Sequence, residues 1–225
     1  MSVMNQIPKD YPYMIFDLDG TMVDTCPDIV ATVQHIIEKY GFEEKSPEFI
    51  RSCIGGGARN VLLKCLGTAH EAIIDSELLS YFAEYYTKNS AVHSKMYPGL
   101  KQMLALYKAA GHKLAVATFK IRSATLNIFE TFGLMDYFDI IVTADDVANP
   151  KPAPDCINAI LDYYGCDPSE AVLIGDTKTD YLTGTNAGVD VCAVTFGYNT
   201  PEVMASLNPA YLVDDLCDLA EVLLV

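Results

Sequence analysis

Short, nearly continuous apolar runs alternate with amphipathic stretches along most of this chain. Tyr13-Met14-Ile15-Phe16 has the pattern of a strand buried on both faces. Lys113–Thr118, Phe138–Thr143, Ala171–Gly175 and Val189–Val194 share it, and Tyr211–Val213 predicts a short last strand before a terminal helix. Between these runs, Leu100–Ala110, Ser123–Phe132 and Pro154–Tyr164 repeat apolar residues at helical spacing, and each stops at a glycine (Gly111, Gly133, Gly165). Strands alternating with helices imply right-handed crossovers and a parallel sheet. One region breaks the alternation. Pro27–Tyr40, Pro47–Cys53, Ala58–Leu66 and Glu71–Lys88 are helical in succession, with no strand pattern between them. The expected fold is therefore α/β, a doubly wound parallel sheet over 1–22 and 96–225, with an α-helical insert over 23–95.

Composition narrows the partners. Of 225 residues, 51% are hydrophobic, enough for a sizeable core. Fifteen Lys and Arg against 30 Asp and Glu give a net charge of −15, which disfavours nucleic acid and anionic membranes. No apolar run is long enough to span a bilayer, and the first residues lack the layout of a signal peptide. Seven cysteines are scattered without a CxxC pair, so a reduced, cytoplasmic chain is expected, as a monomer or a homodimer. The four histidines fall in separate elements and are not assigned catalytic duty.

Ligands of such sheets bind beyond the carboxyl ends of the strands. The first strand leads into Asp17 and Asp19, with Gly20 allowing a sharp turn and Thr21 offering a hydroxyl. If the strand continued that far, its period of two would put both carboxylates on one side. Like charges so close call for a cation or a shared proton. Thr118 ends a second strand, Lys151 sits in the proline-rich loop beyond a third, and Asp176 and Asp180 follow a fourth. Singly, each has an ordinary reading: a solvated strand end, a helix cap, a surface lysine. Together they place carboxylates, a hydroxyl and a lysine on one rim, which is what a phosphoryl site with a magnesium ion requires.

In that order, Asp17-Leu18-Asp19-Gly20-Thr21, Thr118, Lys151-Pro152 and Gly175-Asp176 with Asp180 resemble the four signatures of the haloacid dehalogenase superfamily of phosphohydrolases. The resemblance covers essentially the whole chain, and the helical insert is similar to the cap of that superfamily's first subclass. It implies a Rossmann-like core and a Mg2+-dependent phosphatase of a small phosphorylated metabolite. Asp17 would be the nucleophile that forms an aspartyl-phosphate, and Asp19 the acid and then the base. Thr118 would hold a phosphoryl oxygen and Lys151 would neutralise nucleophile and phosphate. Asp17, the Asp19 carbonyl and Asp176 would ligate the ion, with Asp180 supporting them. Four carboxylates and a phosphate dianion would then face a single lysine, which makes the cation necessary.

The entry to the insert, Asp24-Thr25-Cys26-Pro27-Asp28, and the loop Ile54-Gly55-Gly56-Gly57-Ala58-Arg59 resemble those of phosphoglycolate phosphatases. This implies that Gly56 and Arg59 meet the substrate, with Arg51 competing for the role of carboxylate partner, and that hinges lie near Thr21–Thr25 and Ser90–Tyr97. Gly20, Thr21 and Phe119 complete the expected substrate contacts. Phe119 is a departure, because relatives place Asn there; it is expected either to fill an apolar part of the site or to pack beneath the loop. The competing readings are a β-phosphoglucomutase-like phosphomutase, disfavoured by the lack of a histidine after Asp24-Thr25, and a non-catalytic interaction protein on the same scaffold, disfavoured by the intact charged residues. Asp19 argues against a dehalogenase, and the absence of GxGxxG against a dinucleotide-binding oxidoreductase.

Overall fold

The computed structural model describes residues 3–4 and 9–223. In chain order its strands are β1 (Val3–Met4), β2 (Tyr13–Phe16), β3 (Val23–Asp24), β4 (Lys95–Met96), β5 (Lys113–Ala117), β6 (Ile140–Val142), β7 (Ala171–Gly175), β8 (Asp190–Val194) and β9 (Tyr211–Val213). The α-helices are α1 (Cys26–Tyr40), α2 (Pro47–Cys53), α3 (Gly57–Leu66), α4 (Glu71–Ile73), α5 (Leu79–Asn89), α6 (Leu100–Ala110), α7 (Arg122–Phe132), α8 (Asp155–Tyr164), α9 (Lys178–Ala187), α10 (Pro201–Ser206) and α11 (Leu216–Leu223).

The main sheet runs β1-β9-β8-β7-β2-β5-β6. Six strands are parallel, as the alternating pattern predicts, and β1 adds an antiparallel edge that the pattern did not reveal. Strand period two explains the double burial. Met14 and Phe16 join Leu114, Val116 and Ile174 against α6, α7 and α11, whereas Ile15 joins Ala115, Ala117 and Leu173 against α8. The chain leaves β2 to build both flanks, β5 on one side and β7 on the other, so the carboxyl end of β2 lies at the topological switch.

Helices α1 to α5 form their own apolar cluster, including Val33, Ile36, Ile50, Leu62, Leu78 and Phe82, which meets the sheet-bearing part through Ala124 and Ile121. The predicted helix Glu71–Lys88 is not continuous: a π-helical turn, Ile74–Leu78, separates α4 from α5. Ile74, Leu78, Phe82 and Tyr86 are all buried at four-residue spacing. A strict 3.6-residue period drifts off such a spacing, and one wider turn compensates the drift. A two-stranded antiparallel ribbon of β3 and β4, also unforeseen, joins the insert to the rest at the two expected hinge segments. Asp28, buried in the first turn of α1, ties them together: its carboxylate accepts from His93 N (2.9 and 3.0 Å), Ser94 N (2.8 Å) and Ser94 Oγ (2.6 Å).

Candidate active site

β2 ends at Phe16, so Asp17 and Asp19 are not successive same-face residues of one regular strand. The turn after Leu18 separates their surroundings. Asp17 is buried beside Lys151, whose Nζ donates to its Oδ1 at 2.9 Å. The same ammonium donates to Asp180 Oδ1 at 2.6 Å, while Asp180 Oδ2 accepts from Thr177 N (3.1 Å) and Thr177 Oγ1 (2.5 Å), closing a capping box at the start of α9. Asp180 therefore shares with Asp17 the lysine that holds it.

Asp176, fully buried after β7, is held by neutral donors: Thr21 Oγ1 at 3.0 Å and Tyr198 N at 2.6 Å. Gly20 makes room for it. A Cβ on Gly20 would lie 2.3 Å from Asp176 Oδ2, and its φ of +82° suits glycine. A Cβ on Gly197 would meet the same carboxylate at 2.3 Å.

Carboxylate oxygens of Asp17, Asp176 and Asp180 lie within 4.8 Å of one another. Burial pushes Asp17 up to about 7, with Lys151 acting in the opposite direction; burial, then Asp180 and Asp17, pushes Asp176 well above the usual carboxylate range. Burial works against the charge on Lys151, but Asp17 and Asp180 more than offset it and hold the ammonium above the ordinary lysine range. Three clustered carboxylates against one lysine, in a cradle kept clear by two glycines, fit a hard divalent cation with oxygen ligands.

Asp19 belongs to a second network. Its Oδ1 pairs with Lys120 Nζ at 2.9 Å and accepts from Thr25 Oγ1, which is in turn 2.9 Å from Tyr198 Oη. Lys120 Nζ also donates to Tyr86 Oη, at 2.7 Å, and lies over that ring. The site thus holds two lysines, not one. Lys120 was visible in the sequence as a charge two residues past Thr118; Tyr86 and Tyr198, from α5 and from the loop after β8, carried no local signal.

Both networks open onto a cavity of about 330 Å3 between the sheet and the helical insert. Asp17, Asp19, Lys151, Asp180, Phe119 and Gly56 line it, together with Lys120, Tyr86 and Tyr198. Gly20, Thr21 and Asp176 stand behind this lining. Thr118 is buried and also absent from the wall; its Oγ1 accepts from Lys120 N at 3.2 Å, so its hydroxyl shapes the turn that presents Lys120. Phe119 lines the cavity, and its ring packs on the glycine loop of the insert, where a Cβ on Gly57 would come within 2.5 Å of it. Arg59 is turned away: it binds Asp75 (2.7 and 2.8 Å) and Glu71 (2.6 Å) on an exposed face of the insert. The sequence pattern could not see that two carboxylates on the neighbouring helical stretch would capture it. Arg51 is likewise exposed and outside the lining.

Comparison with known proteins gives the same picture. A family model for haloacid dehalogenase-like hydrolases matches residues 14–194. A phosphoglycolate phosphatase of Aquifex aeolicus is 33% identical over 185 residues, 82% of this chain and 85% of the relative. Phosphoglycolate phosphatase 1 of Pseudomonas aeruginosa is 32% identical over 92% of this chain and 77% of its own length. The crystal structure of a predicted phosphoglycolate phosphatase from Haemophilus somnus 129PT superposes with a TM-score of 0.86 at 26% identity, covering 95% of this chain and 98% of that one. With most of its length matched by the family model, and its carboxylates and lysine gathered at the switch point, the chain belongs to the haloacid dehalogenase-like hydrolase family.

Proposed function

We propose that the protein is a divalent-cation-dependent phosphatase of a small phosphorylated metabolite, working through an aspartyl-phosphate on Asp17, with magnesium as the ion. The observation that carries this reading is the buried Asp17–Asp176–Asp180 cluster with Lys151 at the floor of a cavity, facing Asp19, which Lys120 and Thr25 hold. Relatives named phosphoglycolate phosphatase support the reaction class.

Asp17, Asp176 and Asp180 would hold the ion, which would supply positive charge to offset the carboxylates and to polarise a phosphoryl oxygen. The chain does the rest. Lys151 holds the Asp17 carboxylate in place and neutralises part of the incoming charge. An Asp17 oxygen attacks phosphorus, the bond from phosphorus to the ester oxygen breaks, and the Asp19 carboxyl gives its proton to the departing alkoxide. Asp19 then takes a proton from water as that water attacks phosphorus, and the phosphorus–Asp17 bond breaks to release phosphate and restore both carboxyl groups. Lys120 and Thr25 fix Asp19 for both transfers, and Thr118 fixes the turn that carries Lys120. Residues 23–95 serve as a cap whose closure excludes bulk water and whose opening admits substrate, hinged at the β3–β4 ribbon.

Phosphate release from p-nitrophenyl phosphate tests this reading. With magnesium present, Asp17→Asn should reduce turnover to background, and Asp19→Asn should lower it by about 10²–10⁴-fold. Chelation should abolish it and added Mg2+ restore it. Equal rates in the natural chain and Asp17→Asn would refute the mechanism.

A further inference from the structure

The cavity has two unlike halves. Its floor carries the charged groups described above, and its roof, contributed by the helical insert, is apolar: Ile29, Ile54, Val61, Leu79, Phe82 and Ala83 line it, with Phe119 closing one side. Among the described lining residues, the cationic side chains are Lys120 and Lys151, and both are already committed. Lys151 is shared by Asp17 and Asp180, and Lys120 by Asp19 and the Tyr86 hydroxyl. The arginine in the right stretch of sequence, Arg59, is bound by Asp75 and Glu71 away from the lining. A carboxylate on the leaving group would thus be buried against aliphatic and aromatic side chains with no cation to receive it, in a site where acids already outnumber lysines. What polarity the roof has comes from the Tyr86 hydroxyl, already bound to Lys120, and from the backbone of Gly55–Gly57: the Gly55 carbonyl takes Asn60 Nδ2 at 2.6 Å, and the amides that open α3 bring no full charge to set against a carboxylate. At about 330 Å3 the cavity is also at the lower end of small-molecule sites, which span about 300–1,000 Å3, so a compact apolar body suffices to fill it.

We propose that the substrate is the phosphate monoester of an uncharged alcohol with an apolar body, and that esters of hydroxy acids such as phosphoglycolate are poor substrates. This rests on the phosphatase reading and sharpens it: the floor selects the phosphoryl group, and the roof selects what leaves. Phosphate release would be compared for 2-phosphoglycolate, n-propyl phosphate of similar length, and cyclohexyl phosphate, using the whole protein with saturating Mg2+. The expected order of kcat/KM is cyclohexyl above propyl above phosphoglycolate, with at least about tenfold between the last two, a factor worth about 1.4 kcal/mol. Ala83→Lys, which places a cation on the roof outside the reacting groups, should move the phosphoglycolate-to-propyl ratio about tenfold towards the acid. Arg59→Gln should leave that ratio unchanged. Phosphoglycolate turned over as well as or better than the propyl ester, or selectively lost in Arg59→Gln, would overturn the substrate class while leaving the phosphatase standing. Release of phosphate from none of the three while p-nitrophenyl phosphate is still turned over would likewise overturn the substrate class, and loss of that turnover as well would remove the phosphatase reading itself.

Discussion

Asp176 shows how little separates a structural carboxylate from a ligand. It is fully buried, it accepts hydrogen bonds from a hydroxyl and a backbone amide, and the groups around it that carry charge are Asp17, Asp180 and the lysine they share. Without a cation, Asp17 and Asp176 retain protons that the unfolded chain gives up near pH 4; Asp17 retains its own up to about 7. The folded form then binds more protons than the unfolded one between about pH 4 and pH 7, so the cation-free protein loses stability as pH rises through that window. A divalent ion must displace these protons, and does so more easily as pH rises. The thermal shift caused by Mg2+ should therefore be small near about pH 5.5 and large near about pH 8, approaching about 2.7 kcal/mol of added stability at a hundredfold excess over Kd. Melting curves with Mg2+ and with chelator at both pH values check this; a shift that shrinks with rising pH would contradict the assignment of the cluster as a cation site.

At the scale of elements, the helical insert reaches the reacting groups through Thr25, which donates to Asp19, and through α5. Tyr86 on α5 presents its hydroxyl to Lys120, and Lys120 holds Asp19. Tyr86→Phe keeps the ring packed against Phe82 but removes the acceptor. A hydrogen bond to a charged group contributes about 1.5–3 kcal/mol, so kcat should fall by roughly tenfold or more while the fold, followed by circular dichroism, is retained. Asp28 plays the purely structural counterpart. Asp28→Ala strands the amides of His93 and Ser94, and urea unfolding should show a loss of about 2–4 kcal/mol. These two residues also show what the sequence could convey. Asp17, Lys151, Asp176 and Asp180 were legible because each follows an apolar run with a strand's period, and strand ends of a parallel sheet meet on one rim. Tyr86 was not legible: at helical spacing it reads as one more core position, and its polar contact depends on how α5 docks on the turn after β5. Arg59 failed in the opposite sense, because a motif fixes a residue's place along the chain but not which neighbours outcompete the ligand for it. The β3–β4 ribbon, two residues a side, is too short to have a period at all.

For the molecule as a whole, the local and long-range electrostatics oppose each other. The net charge is −15, so a phosphate monoester dianion approaches against the mean field of the protein and finds its lysines only near contact. Among the described lining residues the two lysines, Lys120 and Lys151, are each paired with carboxylates. Screening shortens the reach of the repulsion, to about 10 Å at 0.1 M salt, while the buried pairs inside are screened much less. The expected sign is therefore the reverse of that for a basic, steering active site: with Mg2+ held saturating, kcat/KM for a dianionic monoester should rise by about two- to threefold as KCl is taken from roughly 0.02 to 0.2 M, through a lower KM at nearly constant kcat. A weakly adsorbed cation would behave differently, because salt would strip it and activity would fall. Steady-state kinetics across that range separates the two. A kcat/KM that declines with salt despite saturating Mg2+ would mean that attraction governs encounter, and that a field around the cavity mouth, rather than the acidic surface as a whole, sets the approach of substrate.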